Sequence, residues 1–207
     1  METTFVLPNS GHNRDDVASK MGMWLFLFTE LLLFGGLFLV YMIYRVIYHD
    51  DFLEASLELN VLIGAINTIV LLTSSMTVAM SITAMQKGNS RLSKRLIWLT
   101  ILAAGIFLVN KYFEWSLKFE HGLFPGMGHY GELANGERLF YFLYFFMTGL
   151  HALHVIIGGL FLIYVIRAIK RQKVRQDKYM LLENAGLYWH LVDLIWIYLF
   201  PLFYLIH

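Results

Sequence analysis

The sequence predicts an all-α integral membrane protein, a bundle of five transmembrane helices with its N-terminus inside and its C-terminus outside. Three observations lead there. Of 207 residues, 58% are hydrophobic and only 15% are charged, a balance foreign to water-soluble domains. Five segments are apolar for long enough to cross roughly 30 Å of hydrocarbon as helices rising about 1.5 Å per residue. Lys and Arg divide unevenly between the connections, as they do where cytoplasmic loops are basic.

The first segment, about 22–46, reads GMWLFLFTELLLFGGLFLVYMIY and contains one carboxylate, Glu30. The second, 59–85, has no charge between Leu59 and Met85. The third, 96–118, is uncharged only to Asn110, so Lys111 is expected to snorkel towards the interface. The fourth, 139–167, lacks Asp, Glu, Lys and Arg as far as Ile166, and the fifth, 184–206, carries Asp193. Residues 1–20 form a polar segment without a signal-peptide pattern, so the first span is expected to remain in the membrane. The Gly-rich connection from His121 to Gly136, with Pro125, should be irregular. Twelve of the sixteen basic residues fall on one side, in the N-terminal segment and in the loops after spans two and four. Asp50, Asp51, Glu54 and Glu58 make the opposite connection acidic.

A net charge of +1 offers no footprint for nucleic acid. The absence of Cys removes disulfides, thiolate metal sites and iron–sulfur clusters, leaving His, Asp, Glu and Met as possible ligands. Ionisable groups inside lipid are costly and mark function or internal pairing. Helix rise puts Glu30 and Asp193 roughly 12 Å, and His190 and His154 roughly 8 Å, from the inner boundary. Glu30 is therefore expected to meet His154 or His190 inside the bundle. Glu114, flanked by Lys111 and Lys118 at i−3 and i+4, reads as a solvated ion-pair strip near the outer surface. His151 and His154, at i and i+3, could share a metal, but buried histidines bonded to neighbouring helices are the commoner case.

At these residues the chain resembles subunit III of the haem-copper terminal oxidases, over Met21 to Tyr204. The matches are the Glu30 carboxylate in MGMWLFLFTELLLFGGLF, the Asn67 stretch NTIVLLTSSMTV, the Glu114–Trp115 pair in KYFEWSLKF, TGLHALHVIIGG from Thr148, and ENAGLYWHLVDLIW from Glu183. About twenty polar residues stand where larger members have two further helices enclosing a lipid cleft, so the cleft is expected to be open or closed by another subunit. The family's His pair after span two is missing, and Glu30 stands where quinol-oxidase members often have Asp.

The resemblance implies a non-catalytic subunit in a bacterial inner membrane, without its own metal or haem, packed on the haem- and copper-bearing subunit I. It further implies phospholipid binding, with Phe26, Glu30 and Arg167 as contacts, and support of proton uptake and turnover stability. Glu30, His151, His154, Glu183, His190 and Asp193 form the expected polar network, and Glu114 and Trp115 an outer interface. Three alternatives remain: a His151/His154/His190 haem or metal protein, a proton conductor using Glu30 and Asp193, and an accessory subunit of a nitric oxide reductase.

The orientation is checked by cysteine accessibility in the Cys-free chain. In intact cells a membrane-impermeant maleimide should label Asp50→Cys, while Lys173→Cys should react only after the membrane is opened.

Overall fold

The computed structural model describes the backbone of residues 10–205 and the side chains of 17–205, that of His129 excepted. Residues 1–9 of the polar segment and the end of the fifth span lie outside the described residues. The chain forms α1 (Ser10–Ile47), α2 (His49–Leu57), α3 (Val61–Gln86), α4 (Ser90–Glu120), α5 (Asn135–Lys170) and α6 (Met180–Tyr204). All but α2 are long and apolar enough to cross a membrane. In hydrocarbon a backbone must bond to itself, and a helix does so within one segment.

Two features differ from expectation. Helix α1 begins at Ser10, inside the segment predicted as a polar lead. The acidic connection contains α2, whose Phe52, Ala55 and Ser56 are buried. Asp51 on α2 accepts a hydrogen bond at 3.0 Å from the amide of Gly136, at the start of α5, where a carboxylate also suits the helix dipole. A Cβ at Gly136 would come within 2.7 Å of Tyr48 Cβ, so the contact needs glycine. Between Glu120 and Asn135 the chain is irregular apart from one 3₁₀ turn, His129–Gly131.

Helix ends are closed by side chains. Asn60 caps α3 by accepting from Ile63 N at 3.2 Å, and Asn89 caps α4 by accepting from Leu92 N at 3.1 Å. At the other ends Gly88 and Gly122 take positive φ, the left-handed turn that stops a helix.

Helices α5 and α6 form the centre. Of the most apolar stretch of α6, 56% is buried inside the bundle, against 17% for α1. Thus α1 is an outer helix attached to one flank. Helix α3 is joined to its neighbours by small polar groups. Trp189 and Trp196 of α6 donate to Ser74 at 2.9 Å and Thr68 at 3.0 Å. Thr77 meets Thr100 of α4 at 2.7 Å, and Asn110 of α4 donates to Asn67 at 2.8 Å. Such bonds replace the hydrophobic driving force that lipid cannot supply between helices. Close approach of α5 and α6 requires Gly158, where a Cβ would lie 2.9 Å from the Trp189 ring and 3.0 Å from that of Tyr188.

Gly158→Ala should therefore destabilise the bundle by about 1–3 kcal/mol, read as a lower unfolding temperature in detergent. Gly159→Ala, with nothing within 4 Å of the added carbon, should leave it unchanged.

Candidate functional site

The ionisable residues separate into distinct sites. The first joins α1 to α5. His154 Nδ1 lies 2.7 Å from the Leu150 carbonyl and must donate to it, since a carbonyl only accepts. Its Nε2 is 2.9 Å from Glu30 Oε2. One proton occupies that contact, either as a neutral carboxyl donating to imidazole or as an imidazolium paired with carboxylate. Glu30 thus meets one of the two partners that depth suggested. Phe34 packs edge-on to His154 at 5.4 Å, and Tyr188 donates to the His154 carbonyl at 3.1 Å. Phe26, one turn before Glu30, stacks on Tyr188 with ring centroids 6.0 Å apart.

The second expected partner, His190, turns elsewhere, with Nδ1 2.6 Å from the Ser75 hydroxyl of α3. Asp193, on the same helix, is buried, and neither of its oxygens has a hydrogen-bond partner. It is thus not one of the structural polar contacts expected of it. Glu183 pairs with Lys20 at 3.3 Å near the basic end of α1 and α6, where Asn184 also donates to Ser19 at 3.0 Å.

The third site corrects the sequence reading most. Lys111 does not snorkel, and the strip around Glu114 is not solvated: Lys111 is 2% exposed, Glu114 4% and Lys118 5%. Lys111 Nζ donates to Glu114 Oε2 at 3.1 Å, Tyr204 at 2.6 Å and Tyr144 at 3.3 Å. The two phenols donate in turn to Glu114 Oε1, at 2.6 Å from Tyr144 and 2.5 Å from Tyr204. The Trp196 ring lies 4.9 Å from the ammonium, a cation–π distance. Both charges are thereby compensated by groups of the chain itself. The i, i+3 spacing disclosed the pair, but Tyr144 and Tyr204 lie on α5 and α6, and nothing local links them to α4. Trp115 is half-buried and packs on Phe145 with centroids 6.0 Å apart.

His151 is fully buried between Phe107, at 5.5 Å, and Trp196, at 5.3 Å, and its ring nitrogens have no hydrogen-bond partner. It does not share a target with His154. Among the described residues no three His, Asp or Glu side chains converge as metal ligands.

The sequence of the whole bundle settles the relationship. A family model described as cytochrome c oxidase subunit III matches residues 8–207. The chain belongs to this family. It is 32% identical to cytochrome c oxidase subunit 3 of Thermostichus vulcanus, covering 98% of this chain and 94% of that one. It is 33% identical to the subunit 3 of Corynebacterium diphtheriae, covering 94% and 90%. A haem-copper oxidase subunit I+III of Aeropyrum pernix is 31% identical over 90% of this chain and 22% of that one. As a subunit III, the chain is a multi-pass membrane component of a respiratory terminal oxidase, and its counterpart is the catalytic subunit I.

Within the subunit III fold the Lys111–Glu114 pair should behave as one unit. Lys111→Met or Glu114→Gln alone leaves one buried partner uncompensated and should cost about 3–5 kcal/mol. The double variant should cost clearly less than the sum in thermal unfolding of the purified chain.

Proposed function

We propose that this chain is a non-catalytic subunit III in a bacterial cytoplasmic membrane, packing on haem- and copper-bearing subunit I, holding phospholipid and supporting proton uptake and turnover stability. The observation that carries the reading is the family match over nearly the entire bundle. The relative whose name joins subunits I and III favours contact with subunit I.

For lipid, the support is positional. Glu30 and Phe26 lie one turn apart on α1, and Phe26 is 42% exposed although stacked on Tyr188. Arg167 is exposed near the basic end of α5, thirteen residues beyond His154, or about 20 Å along the helix. That separation suits a phosphate held by Arg167 and an acyl chain running towards Phe26. A guanidinium at headgroup level can form paired bonds to phosphate.

For proton uptake, the support is chemical. A catalytic neighbour reducing oxygen needs protons delivered through a controlled dielectric. A rigid apolar wall containing one proton shared by Glu30 and His154 supplies such a boundary without being a conduit. A direct conductor would lose flux when Glu30 is neutralised, whereas a supporting subunit would not.

Tagged and extracted in mild detergent, the chain should co-elute with a larger haem-bearing membrane protein; a haem-free homo-oligomer would refute the assignment. In that complex Glu30→Gln should retain its initial turnover yet inactivate severalfold sooner during continuous oxygen consumption. Phe26→Ala with Arg167→Ala should lower the phospholipid that co-purifies, measured by mass spectrometry.

A further inference from the structure

The end of the bundle where the basic connections gather holds a cavity of about 580 Å³ at the α5–α6 turn. Its walls are of two kinds. Lys173, Arg175 and Lys178 stand on one side, and Tyr164, Val174 and Leu181 make the other apolar. Tyr164 belongs to the membrane-crossing part of α5 and is 55% exposed, so the apolar side continues onto the spanning surface of that helix.

The turn is held in one shape. After α5 the amides of Gln172 and Lys173 donate to the carbonyls of Ile169 at 3.1 Å and Ala168 at 3.0 Å, the pair of bonds that closes a helix through a left-handed residue. That residue is Gln172, at φ 59°, where glycine would be the unstrained choice. Beyond it Arg175 and Lys178 exchange backbone bonds of 3.1 and 3.0 Å as an isolated antiparallel bridge. Between them Gln176 donates to the Gln86 carbonyl of α3 at 3.0 Å, which ties the turn to the neighbouring connection.

This shape leaves positive charge unbalanced. Opposed residues of an antiparallel bridge present their side chains to one face, and like charges placed so repel. Here both residues are cations. Asp177 pairs with Arg175 at 2.8 Å, whereas Lys173 and Lys178 make no ion pair among the described residues. Among the described residues none that lines the cavity is acidic.

We propose that this cavity binds the phosphate headgroup of an anionic phospholipid, with Lys173 and Lys178 on the phosphate oxygens and the start of an acyl chain against Tyr164 and Leu181. An anion between the opposed cations turns their repulsion into attraction, and basic pockets at the ends of membrane helices suit such headgroups. Free phosphate has the same charge but makes no use of the apolar side. A zwitterionic headgroup would leave the excess positive charge standing. The site deepens the phospholipid reading above without using its residues, since Phe26, Glu30 and Arg167 are not among its walls.

Native mass spectrometry of the tagged full chain, with whatever partner accompanies it, tests the site in nanodiscs of phosphatidylcholine containing a minor share of phosphatidylglycerol. The wild type should retain phosphatidylglycerol in preference to phosphatidylcholine; no preference overturns the proposal. Lys173→Gln with Lys178→Gln, both at exposed positions, should weaken that retention by about tenfold or more, because each basic group at a membrane surface adds to the attraction of anionic lipid. Arg91→Gln with Arg95→Gln removes equal charge from exposed positions outside the cavity and should leave retention unchanged. An equal loss in both pairs overturns the cavity in favour of diffuse surface charge. Inorganic phosphate added to the buffer separates the two sources of phosphate: phosphatidylglycerol that stays bound supports the lipid, and its displacement overturns it. Phe26→Ala with Arg167→Ala should keep the phosphatidylglycerol that the lysine pair loses, and a shared loss overturns a separate site. Co-purification tests the oxidase assignment independently, so either reading can fail alone.

Discussion

An ammonium withdrawn from water organises the acidic half of this bundle. Lys111 cannot stay charged in an apolar interior unless its donors are answered there, and the partners come from three helices. Glu114 is one turn along α4, Tyr144 comes from α5, and Tyr204 comes from the last turn of α6. The phenols serve twice, accepting from the lysine and donating to the carboxylate. This network therefore requires α4, α5 and α6 to have a common register at that end. Aromatic packing continues outward from it: Phe203 meets Tyr144 at 5.5 Å, Phe140 at 5.7 Å and Tyr41 at 4.9 Å. Through Tyr41 the network reaches α1.

The remainder of the bundle follows the same rule with weaker groups. Lipid gives helices no hydrophobic reason to associate, so α3 is held by hydroxyl and amide contacts spaced along its length. The indole donors of Trp189 and Trp196 end on Ser74 and Thr68, which places the most voluminous side chains of α6 against the smallest polar side chains of α3. Helix α1 has fewer such ties. It is held by Glu30–His154, by Tyr41, whose hydroxyl donates to the Leu202 carbonyl at 2.5 Å, and by Lys20–Glu183 near the basic end. Among the membrane-crossing helices α1 is thus the one least enclosed by its neighbours.

A subunit without converging ligands can still act on its neighbour through the medium it creates. The pairings here answer the Lys111 ammonium and the Glu114 and Glu30 carboxyls with groups of the chain itself.

Much of this was legible in residue order. Long, largely apolar runs specified five helices, because a backbone in hydrocarbon has few other ways to satisfy its amides. Position along those helices brought Glu30 and His154 to similar depth, since rise per residue is constant. The motifs around Thr148 and Glu183 pointed to the family. Depth is only one coordinate, however. Rotation about each helix axis, which decides whether Lys111 reaches outward to water or inward to Tyr204, depends on neighbours far away in sequence. The same rotation turned His190 to Ser75 and left Asp193 without a partner. The sequence alone determined which segments are long and apolar enough to cross a membrane and that Glu30 and His154 share a level; tertiary packing alone decided which ionisable groups meet, because pairing requires facing as well as level.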